Sequence, residues 1–379
     1  MSYFRYISTA TTGAETHVTG ITDVTLLETD NGLVIYSASG RDGGIIARDE
    51  TLQVIDTADY RTAGGLGAEA QLHVTQIAGR DALLVSGPLQ AGLSGYWLNS
   101  SGLITGRFDL VGPRAEAITA FEMVEIGGQD FWFTAARGTA GITAWQQGAE
   151  DTLVEVTQFN VALQEAGNDV FALEHVERGA RDYLLAVSAE GDGLYNYTIS
   201  SDGRASLVDY LDMSAGLSVN TPTELAQVEL NGTSFILVGA AGTSSISVIT
   251  VSNDGQLRAT DQVNDDLNTR FQNITLLETI VVGGIAFVVA GGGDDGLSLM
   301  TLLPTGRLVH LQTIAHEVDM ALINPAAVVL AEENGMIVLY TAGLSGDAYG
   351  SSGVGRFEID PWGGGRQGRC CWARILTIG

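Results

Sequence analysis

Six polar residues stand where apolar segments of this chain begin: Asp23, Glu116, Asp169, Glu224, Asn273 and Asn324. Carboxylates and amides that converge on one axis could ligate Ca²⁺, a hard cation that prefers oxygen. The same residues could also be hydrated strand ends with no ligand. A second set, Asp192, Asp294, Asp295 and Asp347, lies beside glycines. These could form surface calcium loops, although Asp next to Gly is also ordinary turn chemistry. The five histidines are His17, His73, His175, His310 and His316, and none forms an HExxH or a close ligand pair. His73 and His175 fall in segments expected to face the axis, where one could act as a general base or sit as a hydrogen-bonded structural histidine. No serine lies in a strand–elbow–helix context, so a serine hydrolase is not expected.

These residues are hundreds of positions apart, and only a repeating scaffold could gather them. A repeat is present. Small-residue anchors recur at Gly44, Gly92, Gly141, Gly193, Ser245, Gly296 and Gly353, with spacings of 48, 49, 52, 52, 51 and 57 residues. A second glycine follows ten residues later at Gly102, Gly203, Gly255 and Gly306. Between them run short apolar β-rich stretches such as "FILVGA", "AFVVAG" and "MIVLYTA", which predict strands covered on both faces. "GLYNYTIS" and "GLSLMTLL" alternate as half-exposed strands would. SSG, SDG, NDG and PTG supply hairpin turns, glycine taking the positive φ.

A weaker apolar segment precedes each central run: "VTLLET", "AFEMVEI", "FALEHVE", "ELAQVEL", "ITLLETI" and "AAVVLAE". Each unit therefore holds four strands in about 50 residues. Seven such units predict an all-β fold, a seven-bladed β-propeller of four-stranded antiparallel blades, with the first strand of each blade lining a central channel. The last blade lacks a fourth strand of its own, and "YFRYIST" (3–9) is expected to fill that slot and close the ring. In this register "GGGDDG" (291–296) is a loop between the second and third strands of blade six. No helix follows it, so it is neither a P-loop nor a dinucleotide fingerprint. Trp97, Trp132 and Trp145, with Tyr96 and Tyr197, fall at blade-packing positions, where they would fill the core or, alternatively, stack on carbohydrate.

The units "LYNYTISSDGRASL" and "LSLMTLLPTGRLVHL" resemble seven-bladed propellers of the lactonase type over residues 1–360. "GGGDDGLS" and the closing "GVGRFEID" are similar to the N-terminal propeller ahead of hemolysin-type (RTX) calcium-binding repeats in acidic secreted bacterial proteins. The first resemblance implies a hydrolase acting on a sugar lactone in the channel. The second implies a non-enzymatic binding or scaffold module of a secreted or surface protein, with Ca²⁺ as an associated ion. The module is the leading expectation and the lactonase-like hydrolase the alternative.

Composition narrows the partners. The chain has 379 residues and a net charge of −27, and all 18 of its basic residues are arginines. That field repels nucleic acid and anionic lipid, leaving a protein or a small molecule as the expected partner of a monomer. No apolar run is long enough for a transmembrane helix, and the N-terminus lacks the apolar region of a cleaved secretory signal. The adjacent Cys370 and Cys371 are poorly placed for an ordinary disulfide and fit no zinc pattern. They belong to an atypical tail, 361–379, that brings arginines and both cysteines after an acidic, regular chain. Two readings of it stay open: a frameshift or truncation of a longer protein, and a natural tail whose "ARILTIG" adds a strand.

Overall fold

The computed structural model describes residues 2–363, apart from 12–19, 41–42, 60–69, 87–92, 111, 113–117, 137–140, 149–151, 162–169, 318–319 and 344–352. Among the described residues there are seven four-stranded antiparallel sheets and no helix, hence none long and apolar enough to cross a membrane. Six sheets take their strands in simple sequence order. The seventh is built from both ends of the chain: Phe4–Thr11 pairs with Gly353–Ile359, in a register that sets Phe4 opposite Ile359. The expected closure is therefore present, and it covers an edge that would otherwise expose unpaired N–H and C=O groups.

The anchors begin the third strands. Gly44, Gly193, Ser245, Gly296 and Gly353 each open one, and Gly141 immediately precedes another, Ile142–Gln147. Gly92 lies outside the described residues, and the third strand of its blade starts at Ser94. The "GGGDDG" segment joins Ile285–Gly291 to Gly296–Leu302, as expected of a second-to-third strand loop.

The third strands differ from expectation. "GLSLMTL" (Gly296–Leu302) is buried at all seven residues rather than half-exposed, and "GLYNYTI" is nearly so. Its alternating polar residues are satisfied inside: Thr301 Oγ1 donates to the Ala286 carbonyl at 2.8 Å, and Ser298 Oγ accepts from Arg270 N at 2.8 Å. Alternation there marks buried hydrogen-bonding positions rather than a wet face. The wet strands are the fourth, such as Leu257–Asn264, which form the rim.

Seven apolar clusters hold the ring, each bridging one pair of neighbouring blades. One joins Val34, Tyr36 and Ala38 of blade 1 to Leu72, Leu83 and Val85 of blade 2. Another joins Val338 and Tyr340 of blade 7 back to Ile21 and Ile35 of blade 1. Trp132, Trp145, Tyr96 and Tyr197 are buried in these interfaces, whereas Trp97 is half-buried, stacked on Phe108 at 4.3 Å with Arg80 4.2 Å from its ring. These aromatics fill the core or its margin.

Polar staples supplement the clusters. Asp56, Asp209 and Asp261, on fourth strands, each accept two backbone N–H bonds, one from the following residue and one from the next blade. For Asp209 these are Tyr210 N at 2.9 Å and Leu257 N at 2.8 Å. Such bonds satisfy backbone donors that no ladder reaches.

Candidate functional site

The innermost strands of the seven blades do not pair with one another, and their third residues form a ring around the axis. In blade order these are Asp23, His73, Ala120, Ala172, Glu224, Glu278 and Ala327. All seven line one cavity of about 300 Å³ at the face where the innermost strands begin. Two more carboxyls, Glu122 and Glu174, stand on the fifth residues of their strands, one step deeper. No arginine lines the cavity among the described residues.

The local chain geometry aims these groups. Five innermost strands start with a β-bulge, as between Ile21 and Asp23 and between Pro222 and Glu224. A bulge bends the strand and re-aims its side chains, which lets a short carboxylate reach a shared axis. The strands of blades 2 and 6 pair without one, yet His73 and Glu278 still face the same cavity.

The protein walls surrounding these carboxyls favour their uncharged form, even though each residue keeps part of its surface exposed. Burial pushes Glu224 up to about 8, helped by the negative charges of Asp23 and Glu278. Burial likewise raises Glu278 to about 7 against one hydrogen bond from Thr279 N. Asp23 rises to about 7 through burial, although Leu72 N and Val24 N donate to it at 2.6 and 2.8 Å and favour the ionised form. Glu122 and Glu174 are both raised, chiefly by burial, with Glu174 further raised by the charge of Glu122. His73 moves the other way: burial lowers it to about 4, so it is neutral. Its Nε2 lies 3.4 Å from Ser86 Oγ, and its ring meets Phe121 edge-on at 5.0 Å.

Glu224 differs from Asp23. The two-donor bridge of Asp23 repeats the rim staple, one bond to its own next residue and one to the next blade. Glu224 receives no such bond: burial and neighbouring charges are the only influences on its carboxyl. A cavity holding protonated and ionised carboxyls near neutral pH can both give and take a proton.

The other expected site residues fall elsewhere. Glu116, Asp169 and Asp347 lie outside the described residues. Asn273 and Asn324 do not line the cavity; both are left-handed lead-ins, at φ 48° and 43°. Each donates its backbone N–H back to the preceding blade, Asn273 to Ser244 Oγ at 3.0 Å and Asn324 to Asp295 Oδ1 at 2.9 Å. Asp192 makes the same bridge to Thr221 N at 2.7 Å. Asp294 accepts from Gln272 N and lies 3.7 Å from Arg270. Asp192 and Asp295 thus tie neighbouring blades, while Asp294 holds the lead-in of its own blade. His175 points away from the cavity and bonds Asp182 at 2.9 Å. Among the described residues, no three His, Cys, Asp or Glu side chains are grouped so as to hold a metal ion.

No family model matches this chain, and no curated protein matches it. Many solved chains do. One is the crystal structure of a protein from Lactobacillus plantarum, a structural genomics target, which is 14% identical with a TM-score of 0.56. The alignment covers 91% of this chain and 93% of that one, so the likeness embraces the whole ring. At that identity it is a likeness of fold: this chain is an all-β, seven-bladed propeller.

Proposed function

We propose that the protein is a lactone hydrolase with its site in the central channel. One observation carries this reading: Asp23, Glu224 and Glu278 line a single cavity in which burial brings all three carboxyls close to neutrality. Carboxyls so tuned supply base and acid at the same pH. An ionised carboxyl takes a proton from water as the water oxygen bonds to the lactone carbonyl carbon and the C=O π pair moves onto the carbonyl oxygen. The carbonyl reforms as the ring C–O bond breaks and a protonated neighbour gives its proton to the ring oxygen; exchange with solvent then returns both carboxyls to their starting forms. The hydroxy acid then ionises to solvent. It leaves as an anion, repelled by a chain of net charge −27. Glu224, raised furthest at about 8, is the carboxyl still protonated at neutral pH and donates to the ring oxygen, while Glu278, at about 7, is ionised sooner and takes the proton from water. A panel of lactones assayed by proton release, with and without calcium, tests the reading. Turnover above the spontaneous rate is expected; none with any lactone in either condition contradicts it.

A second reading is a non-enzymatic binding or scaffold module. It is favoured by Asp23, which makes the same backbone bridge as the rim aspartates and so has a structural role without catalysis. On that reading the panel gives no turnover.

A further inference from the structure

One aromatic stands out among the large apolar side chains exposed to solvent. Phe171 is 37% exposed, and it lies on an innermost strand as part of the wall of the acid-lined cavity. The other exposed large apolar residues, from Ile55 to Leu267, are aliphatic and lie outside that wall. An aromatic face left bare beside hydrogen-bonding acids is costly in water unless something covers it. Across the ring from it stand Ala327 and Asp23, and Ala172 and Ala120 beside it leave room.

We infer that the cavity takes a single uncharged polyhydroxylated ring, with its apolar face on Phe171 and its hydroxyls toward Asp23, Glu224 and Glu278, and that it rejects phosphorylated rings. Size supports one ring: about 300 Å³ is at the lower end of small-molecule sites. Hydroxyls need both donors and acceptors, and a mixture of protonated and ionised carboxyls provides both. Among the described residues the wall holds no arginine, which leaves a phosphate with no counter-charge there, against several carboxyls of its own sign. This inference rests on the hydrolase reading for the reaction but not for the binding.

The test is isothermal titration at pH 7 of the wild type, Phe171→Ala and Phe171→Trp with glucose, glucose 6-phosphate and glucosamine, alongside lactone turnover. Glucose is expected to bind the wild type, about tenfold more weakly to Phe171→Ala, and to regain affinity in Phe171→Trp. Glucose 6-phosphate is expected to bind at least about tenfold more weakly than glucose. Unchanged melting of both variants guards against misfolding. The inference is overturned if glucose does not bind, if the phosphate ester binds as well as glucose, if Phe171→Ala changes nothing, or if only the cationic glucosamine binds. Sugar binding without lactone turnover would defeat the hydrolase reading and leave this one standing. Turnover that ignores Phe171 would do the reverse.

Discussion

The rim and the channel of this propeller use the same acidic chemistry to opposite ends. At the rim, Asp209 and Asp261 each accept two backbone N–H bonds and tie one blade to the next. In the channel, Glu224 accepts none and faces a cavity with two other carboxyls. Asp23 stands between these cases, in the channel by position and a staple by its bonds. What separates a structural acid from a reactive one here is the supply of backbone donors.

Exchanging the acids tests that contrast. The largest effect is expected from Glu224→Gln. It keeps the shape, removes the proton donor and should lower kcat by roughly 10²–10⁴-fold, as loss of a general acid does. A smaller loss with an unchanged fold would move the role to Glu278. Next come Asp209→Ala and Asp261→Ala, each of which strands inter-blade N–H groups. Each should cost about 1–3 kcal/mol in chemical denaturation while leaving lactone turnover unchanged. Equal damage to turnover would erase the distinction between rim and channel. Asp23→Asn keeps one carbonyl acceptor but loses the charge, so it should show a partial deficit in both stability and rate.

The smallest effect is a pH slope. Asp23, Glu224 and Glu278 have folded values raised to about 7, 8 and 7. The folded state therefore holds their protons more tightly than the unfolded chain does. Their contribution to stability is full below the unfolded carboxyl range near pH 4 and is lost as pH rises through about 7–8. His73, lowered to about 4, has the opposite sign: its contribution is present above pH 6.5 and is lost as pH falls toward 4. Between pH 6.5 and 8.5 the wild type should thus lose stability more steeply than Glu224→Gln, by on the order of 1 kcal/mol. Parallel curves from thermal melts would show that Glu224 is not held protonated.

The blades were legible in the sequence because hairpin glycines at positive φ, such as Gly203, Gly255 and Gly306, recur in strict register. The closing strand was legible because the last blade lacked one. The site was only half legible. Asp23 and Glu224 could be picked as polar residues at strand starts. Glu278, Glu122 and Glu174 are hidden in "LLETI", "FEMVE" and "ALEHV", where one glutamate in an apolar strand reads as solvent-facing. Only ring closure makes that side the inside. Aligning the third residue of each innermost strand would have exposed the ring. Asn273 and Asn324 fall outside the cavity wall, and Asp192 and Asp295 bond the lead-in of the next blade, because Asn and Asp tolerate left-handed φ and bond to backbone. Phe171, within "FALEHVE", carries no local mark of a residue that faces a channel.

The most direct test of the central claim is the pH profile of kcat/KM for a neutral lactone, corrected for spontaneous hydrolysis. A site working through coupled carboxyls, one ionised and one protonated, predicts a bell with its maximum between about 7 and 8, its limbs belonging to the cluster rather than to single residues. A rate that climbs steadily with pH, as hydroxide attack would give, would contradict the account.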